Sequence, residues 1–447
     1  MEQAGVDPTA ISVFERQVEQ VRAGVSAMIY DADVDPWESP QLDVGTVDDS
    51  LVGQTAMIRL NGGLGTSMGM DRAKSLLPVS DGLSFLDIIA RQVLSTRAAY
   101  SAGLPLTFLH SFRTSADCLA ALARHDGIES NAMRSAGVPL ELMQNQEPKL
   151  LADELVPVEW PADPELEWCP PGHGDLYTVL HASGLLARLL DAGYRWLFVA
   201  NSDNLGARVT AEMVSWFAGS GAPFALEAVR RSKSDRKGGH FVTRRSDGRL
   251  VLRETAQTPP DEVDASQRHG YSSTNNLWLD IAAVNDLLEE QGGDMHLPVI
   301  VNRKTVDPSD ASSPAVIQLE TAMGAAVESF EGATTVEIGR DRFIPVKTTN
   351  DLLVVRSDCY RLADDNSLVQ DSDQIPFIEL SGAYKLIHDF DARFPAGPPS
   401  LIDATSLIVR GDWTFGEGVT IVGDVKLGPE GGTIPDGSVL DGSVATS

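Results

Sequence analysis

Residues 55–74 read TAMIRLNGGLGTSMGMDRAK, an apolar run followed by a glycine-rich segment and a lysine. The apolar run that ends near Leu60 predicts a buried β-strand, and the glycines after it predict a tight turn at the end of that strand. Glycines in such a turn let backbone N–H groups approach phosphate oxygens, and Lys74 places a positive charge beside them. The turn is therefore a candidate phosphate-binding loop, although a purely structural turn has the same local pattern.

The spacing of the glycines excludes two familiar phosphate-binding motifs. A dinucleotide fingerprint needs the pattern G-x-G-x-x-G, but after Gly63 and Gly65 the next glycine is Gly69, which comes too late. A Walker loop needs a glycine directly before its lysine, and Ala73 occupies that position before Lys74. Any nucleotide site at this turn therefore belongs to a different class of loop.

Further apolar segments, between residues 55 and 283, alternate with helical patterns. The strand candidates are TAMIRL, LPLTFLH, LELM, WLFVA and FALEAV. This alternation predicts an α/β domain with a parallel or mixed sheet. Ser84 and Asp87 predict a capping box at the start of one helix, and a second helix is predicted over residues 176–190, after the loop PPGHGD.

The two ends of the chain have different patterns. Apolar residues at helical spacing predict an amphipathic helix from residue 2 to about residue 27. Near the C-terminus, the segment LIVRGDWTFGEGVTIVGDVKLG has small turns about every six residues, which predicts a short left-handed parallel β-helix, with antiparallel hairpins as the alternative. We therefore divide the chain into an N-terminal helical extension (residues 1–50), a central α/β domain (51–395) and the β-helix (396–447).

The composition is that of a soluble globular protein. The 447 residues include 35 Lys and Arg against 64 Asp and Glu, a formal charge of −29, and 43% are hydrophobic. This charge argues against general nucleic-acid binding, and no apolar run approaches the roughly 18 residues that a membrane span needs. The N-terminus lacks the pattern of a signal peptide, and Cys118, Cys169 and Cys359 form no CxxC pair. We therefore expect a cytoplasmic protein with small-molecule partners, no nucleic acid and no membrane.

Two polar segments are further candidates for a binding site. NSD at residues 201–203 follows the strand candidate WLFVA, and ligands bind at the carboxyl ends of strands in open α/β sheets. A carboxylate there suits Mg²⁺, which prefers oxygen ligands, while an Asx turn is the structural alternative. In PPGHGD, glycines flank His173 and expose backbone around an imidazole, which suits close contact with a flat base or a sugar phosphate.

Several separate segments occur in the same order as in a known enzyme family. They are LNGGLGTSMG with Lys74, PPGHGDLYTVLHASGLL, FVANSDNLGA, KGGH, LRETAQTP, STNNLW, VIQLETAMGAA and RFIPVKTTNDLLVV. By these segments the chain resembles the UDP-glucose pyrophosphorylases of the eukaryotic type, from about residue 50 to the C-terminus. The resemblance implies a GT-A-like, Rossmann-like nucleotide-binding sheet and makes the central domain the nucleotidyltransferase catalytic domain. The implied reaction converts UTP and glucose 1-phosphate to UDP-glucose and pyrophosphate, with Mg²⁺ as cofactor.

The resemblance also implies roles for individual residues. It places Lys347 at the α-phosphate, Lys74 at the outer phosphates and Asp203 on the metal, as the catalytic set. The residues that it assigns to UTP are Leu60, Asn61, Gly62, Gly63, Lys74, Gln144, Gly172, Asn201 and Lys347. The residues that it assigns to the sugar phosphate are His173, Asn201, Glu254 and Asn275. It also leaves room for an oligomer that forms through the C-terminal β-helix.

The chain departs from the family pattern in three places. The segment usually written GCKGPKS reads GMDRAKS at residues 69–75, which loses a proline but retains Lys74. The segment usually written FNTNN reads SSTNN at 272–276, so Ser273 replaces an amide, and His240 is larger than the usual residue after the KGG glycines. The sugar preference therefore stays open between glucose, galactose and N-acetylhexosamine 1-phosphates. A non-catalytic UDP-sugar-binding protein is the alternative from another class.

Overall fold

The structure is a computed structural model that describes residues 1–232, 238–263 and 268–444. The helices are α1 (Pro8–Arg22), α2 (Phe85–Tyr100), α3 (Ser115–Leu122), α4 (Asn131–Ala136), α5 (Leu176–Ser183), α6 (Leu185–Asp191), α7 (Ala211–Ser220), α8 (Ile281–Glu290), α9 (Thr349–Arg356) and α10 (Ile387–Arg393). The strands are β1 (Val34–Pro36), β2 (Thr55–Asn61), β3 (Pro78–Ser80), β4 (Leu83–Ser84), β5 (Leu106–His110), β6 (Glu141–Met143), β7 (Glu147–Pro148), β8 (Leu150–Leu151), β9 (Trp168–Cys169), β10 (Trp196–Asn201), β11 (Phe224–Arg230), β12 (His240–Arg244), β13 (Leu250–Arg253), β14 (Tyr271–Asp280), β15 (Ile300–Thr305), β16 (Ala315–Glu320), β17 (Thr334–Glu337), β18 (Tyr360–Leu362), β19 (Leu368–Gln370), β20 (Phe377–Glu379), β21 (Ala404–Val409), β22 (Trp413–Phe415), β23 (Thr420–Ile421), β24 (Gly423–Leu427), β25 (Gly432–Ile434), β26 (Val439–Leu440) and β27 (Ser443–Val444).

A mixed sheet forms the centre of the molecule. Its strands follow the order β1, β12, β14, β10, β2, β5 and β6. Outside this row, β11 pairs with β14, β13 pairs with β12, and β17 pairs with β11. The neighbours β10, β2, β5 and β6 are parallel, whereas β14 runs antiparallel to β10. The strand candidates of the sequence correspond to β2, β5, β6, β10 and β11, which confirms the predicted α/β class and mixed sheet.

Helices cover both faces of this sheet. In β10, Trp196 and Phe198 pack into one core with α2, α7 and α9, while Leu197 and Val199 pack into another with α5, α6 and α8. A strand that is covered on both faces is apolar at successive positions rather than at alternate ones. This burial explains the continuous run WLFVA, which ends at the polar segment that carries Asp203.

The helices confirm the capping prediction and correct two boundaries. Ser84 and Asp87 form the predicted capping box at the start of α2. The N-terminal helix is shorter than predicted, because Asp7 caps it and Pro8 occupies its first position. The single helix predicted after PPGHGD is two helices, since Gly184 adopts φ +63° between α5 and α6. Within the described part of the chain, none of the helices is long and apolar enough to cross a membrane.

The C-terminal segment consists of short parallel strands that stack on one another. β20, β21, β24 and β27 form one parallel row, β22 pairs with β25, and β23 pairs with β26. These parallel pairs show that the antiparallel-hairpin alternative is wrong. Leu407, Phe415, Ile421 and Val425 are buried between the rows. The left-handed sense of the coil and the domain boundaries at residues 50 and 395 stay predictions.

Candidate active site

The residues assigned to the site gather at one edge of the central sheet, where the parallel strands end. Leu60 and Asn61 end β2, and Asn201, the last residue of β10, lies opposite Leu60 in the parallel register. Gln144 directly follows β6, and its backbone N–H donates to the carbonyl of His110 at the end of β5, at 2.7 Å. This edge is the general ligand-binding location of open α/β sheets.

The glycine-rich turn lies over this edge. The carbonyl of Gly63 accepts the backbone N–H of Lys74 at 3.3 Å, and the carbonyl of Gly62 accepts the hydroxyl of Ser111 at 2.9 Å. Asn61 is buried and Gly63 is exposed, so the turn presents backbone without side chains to the solvent. Such backbone can approach a phosphate closely.

Three residues assigned to UTP, Gly62, Gln144 and Gly172, lie against one another. Gln144 Nε2 donates to the carbonyl of Gly172 at 2.7 Å. A Cβ added to Gly62 would lie 2.6 Å from Gln144 Oε1, so a side chain there would displace the amide. A Cβ added to Gly172, whose φ is +81°, would lie 2.7 Å from the carbonyl oxygen of Thr321. The amide of Gln144 is therefore flanked by two positions that need glycine.

His173 lies directly after Gly172, in a single turn of 3-10 helix over His173–Asp175. Its Nδ1 accepts the backbone N–H of Met323 at 2.9 Å, so the ring proton of the neutral imidazole is on Nε2. Burial lowers the pKa of His173 to about 4. At neutral pH the ring is therefore an uncharged donor at Nε2, which can hydrogen-bond a phosphate oxygen.

Lys74 and Asp203 form an ion pair at this edge. The Lys74 Nζ to Asp203 Oδ2 distance is 2.8 Å, and the side chains are 17% and 24% exposed. The carbonyl of Asp203 also accepts the backbone N–H of Val346 at 3.1 Å, which brings the following residue, Lys347, next to the same loop. The structure thus brings together the three residues that the sequence assigned to catalysis.

Lys347 has an exposed side chain that lies near the segments assigned to the sugar. A Cβ added to Gly238 would lie 3.7 Å from Lys347 Nζ. Burial raises the pKa of Glu254, and the positive charge of Lys347 opposes that rise. Lys347 therefore lies between the loop of Asp203 and the segment of Glu254. Lys237, the first residue of the KGGH segment, lies outside the described residues.

The Ser273 departure is part of the local structure around Asn275. Asn275 has φ +57°, which asparagine tolerates better than most residues, and its backbone N–H donates to the hydroxyl of Ser273 at 3.2 Å. The backbone N–H of Ser273 donates to the carbonyl of Gly239 at 2.9 Å. A Cβ added to Gly239 would lie 3.1 Å from the carboxylate of Glu254. Asn275 and Glu254, both assigned to the sugar, are thus joined through Ser273 and Gly239.

The side chain of His240, the third departure from the family pattern, is buried and does not face Glu254 or Asn275. Its ring is buried and stacks on His269 with ring centroids 4.8 Å apart. Burial lowers the pKa of His240 to about 3, so the ring is neutral at physiological pH. His240 therefore belongs to the core behind the segments that carry Glu254 and Asn275.

Asp203 is a carboxylate at this edge that could hold a metal ion together with substrate oxygens. In the described ranges, no group of three or more His, Cys, Asp or Glu side chains could hold a metal ion. A single carboxylate fits Mg²⁺, which is commonly held by one or two carboxylates together with substrate phosphates and water. It does not fit structural zinc, which needs four protein ligands.

The sequence of the chain matches the model of a known protein family. A family model described as UTP--glucose-1-phosphate uridylyltransferase matches residues 18–422, most of the chain. The chain belongs to this family. The match includes the glycine-rich turn, the PPGHGD loop, the Asp203 loop and Lys347, and it ends within the stacked parallel strands.

Individual members of the uridylyltransferase family match over similar lengths. The UTP--glucose-1-phosphate uridylyltransferase of Saccharomyces cerevisiae is 36% identical over 407 residues, 89% of this chain and 79% of the yeast protein. The protein of the same name from Hordeum vulgare is 35% identical, over 88% of this chain and 81% of its own. Among solved structures, a UDP-glucose phosphorylase from Trypanosoma brucei has a TM-score of 0.92 at 39% identity, over 100% of this chain and 98% of that one. A mutant UDP-glucose pyrophosphorylase from Leishmania major, solved in complex with UDP-glucose, has a TM-score of 0.92 at 39% identity, over 100% and 97% of the two chains.

Asn145 and Asp175, to which the sequence assigns no role, form a pair that supports Gln144. Asp175 accepts the backbone N–H of Asn145 at 2.7 Å and the side-chain amide of the same residue at 2.8 Å. Burial raises the pKa of Asp175 to about 6. The pair fixes the residue next to Gln144 to the PPGHGD loop. The sequence offers one signal for this pair, because Asp175 is the last residue of the family segment PPGHGD.

Gly65→Val is expected to weaken UTP binding by about tenfold, because it distorts the glycine-rich turn. The φ of Gly65 is −75°, so a side chain causes no backbone strain there. A Cβ would instead lie 2.6 Å from Sδ and 3.0 Å from Cβ of Met70, which must move. The clash is thus within the turn rather than with the phosphates. Overpacking of this kind costs about 1–3 kcal/mol, and a titration of the folded variant with UTP measures how much of that cost falls on binding.

Gly53→Val is the control for this substitution. Gly53 lies before β2, and a Cβ added there meets nothing within 4 Å. The control should bind UTP as wild type does. Unchanged UTP affinity in folded Gly65→Val would mean that this part of the turn does not contact the nucleotide.

Proposed function

We propose that the chain transfers the uridylyl group of UTP to glucose 1-phosphate and forms UDP-glucose and pyrophosphate. The observation that carries the proposal is the convergence, at one sheet edge, of the bare glycine-rich turn, Gln144, the Lys74–Asp203 pair and Lys347, in a member of the uridylyltransferase family. Relatives that are named for this reaction match over most of their length. Similar structures include one solved in complex with UDP-glucose.

In the proposed reaction, an oxygen of the sugar phosphate attacks the α-phosphorus of UTP in line with the departing pyrophosphate. One P–O bond forms as another breaks. The attacking phosphate is already an anion, so the step needs no general base, and catalysis consists of positioning and charge neutralisation. In a chain with a formal charge of −29, that neutralisation depends on local cations.

Two lysines supply these cations in the proposal. We assign Lys74 to the outer phosphates, because its backbone N–H belongs to the glycine-rich turn and its ammonium group lies at the same edge. We assign Lys347 to the α-phosphate, because it lies between the Asp203 loop and the sugar-facing segment. The ammonium of Lys347 would stabilise negative charge as it develops on the attacking and leaving oxygens.

Asp203 would hold the Mg²⁺ ion in this proposal. When bound, the ion supplies further neutralisation of the phosphate charges. The same Asp203 oxygen now pairs with Lys74, so the ion and the ammonium would share one carboxylate. Sharing the carboxylate would keep the Lys74 ammonium beside the ion, where both positive charges can face the outer phosphates.

The remaining assignments concern recognition of the two substrates. The amide of Gln144 offers a donor and an acceptor, which suits the edge of uracil. Gly172, next to it, presents backbone, and Nε2 of His173 is free to donate to the sugar phosphate. The other residues that we assign to UTP are Leu60, Asn61, Gly62, Gly63 and Asn201, and those that we assign to the sugar phosphate are Asn201, Glu254 and Asn275.

Ser273→Asn is expected to change the preference between glucose and galactose 1-phosphate several-fold. Ser273 holds the backbone of Asn275, and the longer amide extends the hydrogen-bonding surface near that residue. One hydrogen bond to a sugar hydroxyl is worth about 1 kcal/mol, which corresponds to about a fivefold change in the ratio of kcat/KM values. Steady-state kinetics with both sugar phosphates measure the ratio. An unchanged ratio would place the sugar specificity elsewhere.

A pyrophosphate-release assay tests the proposed function. The purified protein is mixed with UTP, Mg²⁺ and, in turn, the 1-phosphates of glucose, galactose and N-acetylglucosamine. We expect release that requires both substrates and is fastest with glucose 1-phosphate. A protein that binds UDP-glucose without releasing pyrophosphate would be a non-catalytic binder, and the proposal would be wrong.

Three further features are proposed here: the handedness of the C-terminal coil, the surface of an oligomer and the cellular location. We propose that the stacked C-terminal strands form a left-handed coil, which is supported by their short length and parallel pairing. We propose that this coil provides the surface for any oligomer, and that the enzyme works in the cytoplasm. Light scattering of the intact chain and of a variant with charged residues at Val422 and Val439, both exposed, tests the oligomer.

A further inference from the structure

A buried carboxamide, that of Asn204, joins the loop of Asp203 to the segment that leads to Lys347. Asn204 is 1% exposed. Its Nδ2 donates to the carbonyl of Arg342 at 3.1 Å, and its Oδ1 accepts the backbone N–H of Ile344 at 2.9 Å. One side chain thus binds a C=O group and an N–H group of the same segment, as the backbone of a neighbouring strand would.

Backbone contacts extend this pairing as far as Lys347. The carbonyl of Asp203 accepts the N–H of Val346 at 3.1 Å, and Asn204 forms an isolated antiparallel bridge with Pro345. The segment is therefore held along its length by two consecutive residues of the Asp203 loop. Lys347 is the first residue beyond these contacts, and its own backbone N–H donates to Asp351 Oδ2 at 2.8 Å, so the Asp203 loop and the start of α9 together fix its backbone.

Other buried groups fix the orientation of the Asn204 carboxamide. Nδ2 also donates to Asn276 Oδ1 at 3.2 Å, and Asn276 Nδ2 donates to Glu227 at 2.9 Å. Glu227 in turn forms an ion pair with Arg342, and Arg59 donates to the carbonyl of Asn204 at 3.1 Å. All of these residues are buried. The carboxamide of Asn204 cannot rotate without leaving buried polar groups unpaired, so the network is rigid.

We propose that Asn204 is a positioning residue that sets the place of Lys347 relative to Asp203 during uridylyl transfer. The inference rests on the proposed function, which places Lys347 at the α-phosphate. Asn204 is buried and acts through the segment that it binds. A displacement of about 1 Å of a catalytic group can cost about 10²-fold in rate. The effect of Asn204 should therefore disappear when the ammonium of Lys347 is absent.

Two substitutions perturb this contact differently. Asn204→Asp keeps the shape and the acceptor for Ile344, but it loses the donor for Arg342. Asn204→Ser is neutral and shortens the side chain. We expect each variant to lower kcat by about 10- to 10²-fold at saturating substrates, with the KM for UTP changed by less than about threefold. In a Lys347→Ala background, each should lower kcat by less than about threefold.

Asn366→Asp is the matched control for the introduced carboxylate. Asn366 is half-buried, and its Nδ2 donates to the hydroxyl of Ser95 at 3.2 Å, outside the site. This variant should have the kcat of wild type. Thermal melts establish that each variant is folded, and the neutral serine variant decides the outcome if the aspartate variant does not fold.

The double-mutant comparison can overturn the proposal in two ways. Equal losses of kcat in the wild-type and Lys347→Ala backgrounds would show that Asn204 does not act through Lys347. A loss confined to Asn204→Asp would assign the effect to the new charge next to Asp203 instead. Failure of the wild-type protein to form UDP-glucose would refute the proposed function, and this outcome is distinct from both.

Discussion

Lys347→Ala is expected to lower kcat by roughly 10²–10³-fold, or about 3–4 kcal/mol, at saturating UTP and glucose 1-phosphate. The reason is that an ammonium at the α-phosphate stabilises charge that develops only in the transition state. The side chain is exposed, so its removal should change the free energy of unfolding by only about 0.5 kcal/mol or less. A large loss of turnover without loss of stability would separate catalysis from folding.

Two further variants complete this test. Lys347→Arg keeps the charge but not the compact ammonium, so it should restore only part of the activity. Lys426→Ala removes another exposed lysine, on β24, and should leave kcat unchanged. Thermal melts and steady-state kinetics are measured for all three variants. An alanine variant at position 347 with a kcat within about threefold of wild type would remove Lys347 from the mechanism.

Asp203→Asn is expected to lower kcat by about 10²-fold or more and to weaken the dependence of the rate on Mg²⁺. An amide is a poor ligand for Mg²⁺, and the charge stabilisation from such an ion is worth several kcal/mol, with about 1.4 kcal/mol for each tenfold change. The substitution also removes the ion pair with Lys74. The measurement is the initial rate as a function of Mg²⁺ concentration.

Asp403→Asn is the control for Asp203→Asn. Asp403 is exposed and lies before β21, so its substitution should leave the Mg²⁺ dependence unchanged. Lys74→Ala separates the two partners of the ion pair, since it removes the ammonium and leaves the carboxylate for the metal. Normal Mg²⁺-dependent turnover in Asp203→Asn would contradict the metal assignment.

The sheet could be predicted from the sequence because each of its buried strands is a short, continuous apolar segment. A strand buried on both faces is a short apolar run, and WLFVA and TAMIRL correspond to β10 and β2. The break at Gly184 could not be predicted in the same way. The apolar pattern continues through it, and a single glycine within a helical pattern is a weak signal of a helix end.

Candidate site residues can be named from the sequence, but the contacts between them cannot. Motifs identify Lys74 and Asp203 separately, whereas their ion pair joins positions 129 residues apart in the chain. The role of Asn204 is hidden for the same reason, because its partners lie on segments that only the fold brings together. His240 stood out as a departure near the sugar site, but its stacking on His269 in the core has no local sequence signal.

The proposed uridylyl transfer requires that an oxygen of the sugar phosphate attacks the α-phosphorus of UTP. The most direct test is ³¹P NMR of the wild-type protein with UTP, Mg²⁺ and glucose 1-phosphate that carries ¹⁸O in its non-bridging phosphate oxygens. We expect UDP-glucose with isotope-shifted signals for both its α- and β-phosphorus, because the attacking oxygen becomes the bridge between them, and pyrophosphate without label. Label in the pyrophosphate, an unshifted α-phosphorus signal, or the absence of UDP-glucose would show that the protein does not catalyse this attack.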